Sequence, residues 1–347
     1  KIADFLIYVL LATVCDVMPI RKLNRLIALT ALKNFKIKKN IAFNELFNLN
    51  EKKNKLSIND LGYLIGPILN AGGRLGKSNY ASELLSSDNL DIVARKSNDL
   101  IILNNKRKEI EKLILREIDF KKIEKENKNV VIYYKADINE GLIGIIAARL
   151  KDYFNKPSIV ITNSNELIKG SARSVYNYNI GRAIKNSLDR GIIITGGGHN
   201  MAAGFTLRKN NLQIFENFIL DDFSKSGALT NNTFLYDAEV SSLALNAEFY
   251  NDIKKLEPFG IGNSLPTFLL KDLKVIKPKI LNDSHISLIL KSKTGFSIKS
   301  ISFNSLNTKV GEYLMNYKGN FDVLGQINEN LWNNKKNLQL TIRDIVI

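Results

Sequence analysis

"IITGGGHNMAAGFTL" (193–207) decides how the middle of this 347-residue chain folds. The run that leads into it, "RGIIIT" (190–195), reads as a strand, and "AAGFTL" (202–207) reads as another. Between them, "GGGHN" holds one of only two histidines in the chain, His199, beside bare backbone. Glycine has no Cβ, so its N–H can approach a ligand closely. A nest of such N–H groups suits a phosphate. Gly196, Gly197 and Gly198 are therefore candidate phosphate contacts. His199 is a candidate donor to a phosphate oxygen or a leaving group. On these residues alone, a tight loop with a routine histidine hydrogen bond is an equal alternative.

Upstream, "NVVIYYKA" (129–136), "PSIVIT" (157–162) and "LIKGSARS" (167–174) read as strands. "GLIGIIAARLKDYF" (141–154), "IGRAIKNSL" (180–188) and "LQIFENFILDDF" (212–223) read as helices. Strands alternating with helices indicate an α/β layer. In "KGSARSVYN" (169–177), Ser171, Arg173 and Ser174 are expected in a turn after the strand. Arg offers a fork to phosphate and Ser adds neutral donors; an exposed surface turn is the alternative. Further back, the pattern is helical from about residue 80 to 126, ending in "KRKEIEKLILREIDFKKIEKEN", where Ile110, Leu113, Ile114 and Ile118 keep helical spacing. It predicts one long amphipathic helix connecting two domains. "GPILNAGGRLGKS" (66–78) sets Asn70 and Arg74 in a Gly-rich bend at a helix start. The Walker spacing fails there, leaving anion binding at a helix start or a plain helix–helix turn.

At the beginning, "FLIYVLLATVC" (5–15) is an apolar run of eleven residues. A membrane span needs about 18 or more. Asp4 interrupts a basic start, and Val14-Cys15-Asp16 offers no small-x-small cleavage site. A buried element ending in a carboxylate is expected, with Asp16 either a metal ligand or an ordinary terminus. The first residue is Lys rather than Met, so the expectation is a chain that begins mid-protein. After a linker at "SKSGALTNN" (224–232), short strands follow one another: "TFLYDAEV", "TFLLKDLKVIKPKIL", "HISLILKS", "FSIKSISF", "FDVLGQINEN" and "LQLTIRDIVI". They predict a small β-barrel, an OB barrel among the candidates. Phe303 and Trp332 are candidate stacking platforms, with barrel core as the alternative. His285 reads as structural.

Net charge is +16 and the pI ≈ 9.6, a balance that favours a polyanionic partner, nucleic acid first. Thirty-eight Lys stand against twelve Arg, amid many Asn and Ile. That composition reads as a coding bias, so a solvated basic surface is the alternative. Where Lys is the default cation, a retained Arg marks a need for a planar fork. The single Cys15 excludes a disulfide framework and a Cys-based zinc site, and it fits a reducing cytoplasm.

Taken together and in order, these stretches resemble a family. "ATVCDVMPI" (12–20), "GPILNAGGRLG", "KGSARS", "TGGGHNMAAGFTL", "LEPFGIGNSLPTF" (256–268), "HISLIL" (285–290) and "LQLTIRDI" (338–345) are similar to the C-terminal two-thirds of the RecJ single-stranded-DNA exonucleases of the DHH phosphoesterase superfamily. The resemblance implies an α/β plus all-β fold in four segments. These are a remnant of the DHH catalytic domain (1–50), a helical connector with a Gly-rich bend (51–128), a DHH-associated α/β domain (129–223) and an OB-like domain (230–347). It implies 5′-to-3′ hydrolysis of DNA phosphodiester bonds with two Mn²⁺ or Mg²⁺ ions, in DNA repair and recombination. Asp16 resembles a metal-binding aspartate of the catalytic domain. Asn70, Arg74, Ser171, Arg173 and Ser174 fall at phosphate- and DNA-binding positions. His199 and its glycines resemble the substrate wall. The partner expected is single-stranded DNA with a 5′ end, with a single-strand-binding protein or a helicase as candidate protein partners. A cytoplasmic monomer with no membrane contact is expected. No "DHH" or "D-x-D" occurs in the chain, so the chain alone is expected to lack nuclease activity. Two alternatives remain: a non-catalytic single-strand-binding module, and a DHH phosphodiesterase of short oligonucleotides, which would lack the barrel.

Overall fold

The apolar run near the beginning forms α1 (Ile2–Cys15), which buries Ile7, Leu10 and Leu11. After a turn at Asp16, α2 (Lys22–Asn34) follows, burying Ala28 and Ala31. A computed structural model describes residues 2–52, 55–228, 235–306, 308–332 and 335–346. They form two compact units: Lys1–Phe35 joined with Thr233–Ile347, and Lys36–Asn232. This division cuts across the four segments read from the sequence. No described helix is long and apolar enough to cross a membrane.

The unit spanning Lys36–Asn232 begins with helices. Asn40 caps α3 (Ile41–Leu49), accepting from the Phe43 amide. Ser57 and Asp60 form a reciprocal capping box around α4 (Ile58–Asp60), which continues through a π turn into α5 (Gly66–Arg74). The Gly-rich stretch is thus helix over Gly66–Arg74 and turn only over residues 75–79, and Pro67, which has no N–H to donate, sits where the π turn passes into α5. Arg74 lies in the last turn, not at a helix start. Then come α6 (Tyr80–Ser86), α7 (Leu90–Glu117) and α8 (Phe120–Glu126). The single long helix expected here is broken: Ile118 is extended and buried, and the Asp119 side chain accepts from the Lys122 amide to start α8. Nor is α7 a bare connector, since it packs against α3, α5 and α6.

The α/β layer is a five-stranded sheet ordered β1-β2-β3-β5-β4. Its strands are β1 (Val131–Tyr134), β2 (Ser158–Ser164), β3 (Leu167–Arg173), β4 (Thr195–His199) and β5 (Ala202–Leu207). β1 and β2 run parallel around the crossover helix α9 (Ile143–Phe154); the other pairings are antiparallel. One face carries a core of Ile168, Ala172, Ala203 and Phe205 under α10 (Ile180–Asp189) and α11 (Leu212–Lys225). α9 packs on β2 and β3 with its own core of Ile143, Ile146, Ala147, Leu150, Val131 and Val160. Two local expectations change. The run Ile192–Ile194 is a bend, pinned by Ile192 N–H to Ser187 O and Ile194 N–H to Thr206 O. The glycines are not a loop either: Thr195–His199 is itself a strand, joined to β5 by a tight turn at Asn200–Met201.

In the other unit, β6 (Ala238–Glu239) and α12 (Ala247–Lys254) precede a closed barrel. Its strands are β7 (Phe268–Leu281), β8 (His285–Ser292), β9 (Ser297–Ser302), β10 (Phe321–Trp332) and β11 (Lys335–Val346), with α13 (Lys309–Asn316) between β9 and β10. The order β7-β8-β9-β11-β10 closes through β10–β7, and β9 with β11 is parallel. Leu270, Leu273, Ile286, Leu288, Leu290, Val323, Ile327 and Leu340 fill the interior. Of the strand expected over 233–240, the described residues 235–240 form strand only at Ala238–Glu239, and residues 229–234 lie outside the described residues. The turn "LEPFGIGN" ties this barrel to the start of α2. Ile20 N–H donates to Ile261 O at 2.6 Å, Arg25 Nη2 to Glu257 O at 2.8 Å, and Arg21 Nε to Gly262 O.

Candidate functional site

Strand alternation builds the first part of the site. Along β3, Ile168, Gly170 and Ala172 face the core under α10, so Lys169, Ser171 and Arg173 share the opposite face. Ser171 and Arg173 are therefore strand residues, not members of a turn after the strand. Cross-strand pairing carries this face over β5 to the edge strand β4. Three rows result: Arg173–Ala202–His199, Ser171–Gly204–Gly197 and Lys169–Thr206–Thr195. Thr195, Gly197 and His199 are exposed on the edge strand. Next to Ser171 the middle row is two glycines, so the sheet presents a flat floor there. Arg173 and His199 stand two strand spacings apart on one face, about 10 Å between backbones.

The start of α9 forms a wall beside this floor. A Cβ on Gly144 would lie 2.9 Å from Arg173 Nη2 and 3.0 Å from Ser171 Oγ. A Cβ on Gly141 would lie 2.3 Å from Arg74 O. At Gly141 only glycine lets the backbone of α5 meet the start of α9, whereas at Gly144 the neighbours are side-chain atoms that an added Cβ would push aside. Arg74 Nη1 donates to Gly141 O at 3.0 Å. Arg173 Nη1 donates to Ala172 O at 2.8 Å and to Ser171 Oγ at 3.2 Å. Because Ser171 Oγ accepts there, its own hydrogen is available to a ligand. The N-cap of α9, Leu142, supplies no side-chain cap, so the positive helix end also faces this corner.

Arg74 and Arg173 are half-buried and have no carboxylate partner among the described residues. Burial first, then the charge of Arg107, pulls the Arg74 pKa down, with Glu111 opposing. Burial first, then Arg74, does the same to Arg173. A guanidinium stays charged in a protein, so the corner holds two mutually repelling cations and a helix N-terminus. What such a corner can do is bind an anion bidentately.

The other expected residues are placed as follows. Asn70 is exposed on α5, one turn before Arg74. Ser174 is 1% exposed; its hydroxyl donates to Tyr178 O at 2.6 Å and its amide to Met201 O. As placed it braces the turn and does not reach a ligand. Gly196 and Gly198 point toward the packed side, where an added Cβ would strike Ile193 and Ile184, or the backbone of Ala202 and Ala203. Only Gly197 looks onto open space. Asp16 belongs to the other compact unit, exposed beyond the end of α1. Sequence reading missed Gly141, Gly144 and Gly204; the alternation of β3 and β5 was the signal for Gly204.

Among the described residues no group of three or more His, Cys, Asp or Glu side chains is arranged to hold a metal ion. Hard divalent cations take about six oxygen ligands. The described residues do not fit a pair of such ions.

The barrel carries its own exposed face. Lys274 and Lys291 stand directly opposite each other on β7 and β8, and Lys299 pairs with Ile289 and Gln339 on the same side. None of the three lysines has a carboxylate partner among the described residues. Like charges directly opposite destabilise a sheet, so the face favours an anion. At one end Phe303 is 54% exposed and packs edge-on against His285, with centroids 5.2 Å apart. Phe303 is therefore not barrel core. His285 Nδ1 accepts from the Asn304 amide at 3.0 Å, which fixes the ring. The Trp332 side chain lies outside the described residues.

A DHHA1 domain model matches residues 127–225, and a RecJ OB domain model matches residues 236–344. The single-stranded-DNA-specific exonuclease RecJ of Haemophilus influenzae is 30% identical over 329 residues, covering 88% of this chain and 56% of that protein. The RecJ of Bacillus subtilis is 27% identical over 350 residues, covering 97% of this chain and 43% of that protein. The chain thus spans about half the length of the curated relatives it matches. The crystal structure of RecJ in complex with Mg²⁺ from Thermus thermophilus shares the fold, with a TM-score of 0.82 and 20% identity over 99% of this chain and 52% of that one.

Proposed function

From the premise that this chain belongs to the RecJ family, carrying a DHHA1 domain and a RecJ OB domain, we propose that it grips the 5′ end of single-stranded DNA for a 5′-to-3′ exonuclease. Its four segments are assigned as the resemblance implies, with 1–50 part of the catalytic domain. The terminal phosphate sits in the corner formed by Arg74, Arg173, Ser171 and the first turn of α9. The Gly197–Gly204 floor, bordered by His199, takes the sugar and base that follow. The barrel, in the other unit, offers a face of its own to single-stranded DNA, with Lys274, Lys291 and Lys299 for phosphates and Phe303 to stack on a base.

The observation that carries this reading is the pair of half-buried guanidiniums, Arg74 and Arg173, with no carboxylate partner among the described residues. Burying a charge without a counter-charge is costly, and a terminal phosphate with its two charges is a fitting counterpart. Mg²⁺ or Mn²⁺ belongs to this proposal through the RecJ crystal structures that contain those ions. The carboxylates described here do not make up their site, so hydrolysis is not assigned to this chain by itself. The operational expectation is binding without cutting.

The test compares 5′-phosphorylated and 5′-hydroxyl forms of one single strand by fluorescence anisotropy. The phosphorylated form binds more tightly. Arg74→Met and Arg173→Met each remove about 1.5–3 kcal/mol of that preference, the worth of a charged hydrogen bond. Equal binding of the two forms by the unaltered chain overturns the reading. Mn²⁺-dependent digestion by the purified chain overturns the expectation that it does not cut.

A further inference from the structure

One buried carboxylate lies near the phosphate corner, in the same unit, and it is already engaged. Glu111 on α7 is 5% exposed. Its Oε2 accepts from Arg107 Nη1 at 2.9 Å, and its Oε1 accepts from Arg149 Nε at 2.6 Å. Arg107 is itself buried, and its Nε donates to Asn104 Oδ1 at 3.1 Å, so the network has one geometry. Arg149 comes from α9, the helix whose first turn walls the corner. Four of the twelve arginines, at 74, 107, 149 and 173, thus belong to one charge cluster that holds a single buried carboxylate. The charges of Arg107 and Glu111 both reach Arg74, with opposite signs.

We infer that Glu111 sets how firmly the Arg74–Arg173 corner holds a phosphate, acting as a positioning residue that offsets part of the cation field without touching the ligand. The inference rests on the phosphate-corner reading above and deepens it. With both oxygens held by Arg107 and Arg149, Glu111 cannot swing onto Arg74 and occupy the ligand's place. Its charge still lowers the positive potential there, and in a partly desolvated site that effect exceeds what water would allow. An exonuclease that trims a strand repeatedly must release each terminal nucleotide. Tighter ground-state grip does not speed such a cycle, so a restraint built beside the grip is useful.

The test uses Glu111→Gln and Arg149→Met in the whole chain. The readout is the ratio of affinities for 5′-phosphorylated and 5′-hydroxyl forms of the same single strand, with melting temperature measured in parallel. Glu111→Gln raises the ratio on the order of three- to tenfold, from the loss of one nearby negative charge, while the melting temperature falls because Arg107 loses its partner. Arg149→Met leaves Glu111 less neutralised, so the ratio falls by a similar factor. A network that only braces the fold lowers both melting temperatures and leaves both ratios in place, and that result overturns the inference. If Glu111→Gln does not fold, an unchanged ratio in Arg149→Met decides against it equally. A ratio of one in the unaltered chain defeats the phosphate-corner reading and this inference with it. A clear ratio that neither variant moves defeats only the role of Glu111.

Discussion

At the scale of single residues, the glycines divide into those that pack and those that present a surface. Gly198 backs onto the β5 backbone, where a Cβ would lie 2.3 Å from Ala202 O and 2.5 Å from Ala203 Cα. Backbone cannot yield as a side-chain tip can, so Gly198→Ala is expected to destabilise the chain by about 1–3 kcal/mol in chemical denaturation, as overpacking does. Gly197→Ala meets nothing within 4 Å and leaves stability nearly unchanged. A different outcome follows at Gly144. There the nearest atoms are the tip of Arg173 and the Ser171 hydroxyl, and alanine suits a helix better than glycine by about 1 kcal/mol. Gly144→Ala therefore keeps or raises the melting temperature while displacing the Arg173 fork, which the 5′-phosphate preference reports as a loss. All three glycines read alike as letters. Their roles separate only when their neighbours are known.

Elements show where periodicity is sufficient and where it misleads. β2 is buried on both faces along Ser158–Thr162, as a continuous apolar run in a covered strand should be. β3 alternates residue by residue, and that alternation sets Ser171 and Arg173 on one face. The helical spacing across 106–127 failed to reveal the break at Ile118–Asp119. Ile118 fits an apolar stripe, but in the fold it is buried in an extended conformation against the α9 core. The capping aspartate is what starts the next helix. Asp119→Ala is expected to cost about 0.5–2 kcal/mol, detectable as a lower unfolding midpoint. Hydrogen exchange should quicken in Phe120–Glu126 and leave the β1–β3 amides protected. A uniform change across the unit would contradict a local cap.

For the whole molecule, each compact unit carries its own cationic surface, and salt dependence measures them separately. Replacing Lys274 and Lys291 by Gln is expected to reduce the salt slope of single-strand binding by about 0.7 for each phosphate no longer neutralised, leaving the 5′-phosphate ratio unaltered. Phe303→Ala is expected to remove about 1–3 kcal/mol of strand affinity, with no loss of barrel stability because the ring is more than half exposed. An unaltered affinity for that variant would exclude Phe303 as a stacking platform. The alternation of the α/β layer and the barrel strands from Phe268 onward were legible from the chain, because hydrophobic period is a local property; Arg74, Ser171 and Arg173 stood out by residue chemistry alone, and their meeting beside α9 did not. The burial of Ser174 and the packed directions of Gly196 and Gly198 were not legible, because burial and direction are not local. The sequence by itself determined the alternation of strands and helices in the α/β layer, the succession of barrel strands, the basic charge and the few arginines kept among many lysines. The tertiary structure alone decided that the helix start facing Arg74 is the one at Ile143, sixty-nine residues further along, and that Glu111 is engaged by Arg107 and Arg149. The physical reason is that a field in a half-buried corner depends on which distant charges the fold brings within a few ångströms, and no spacing along the chain encodes that distance.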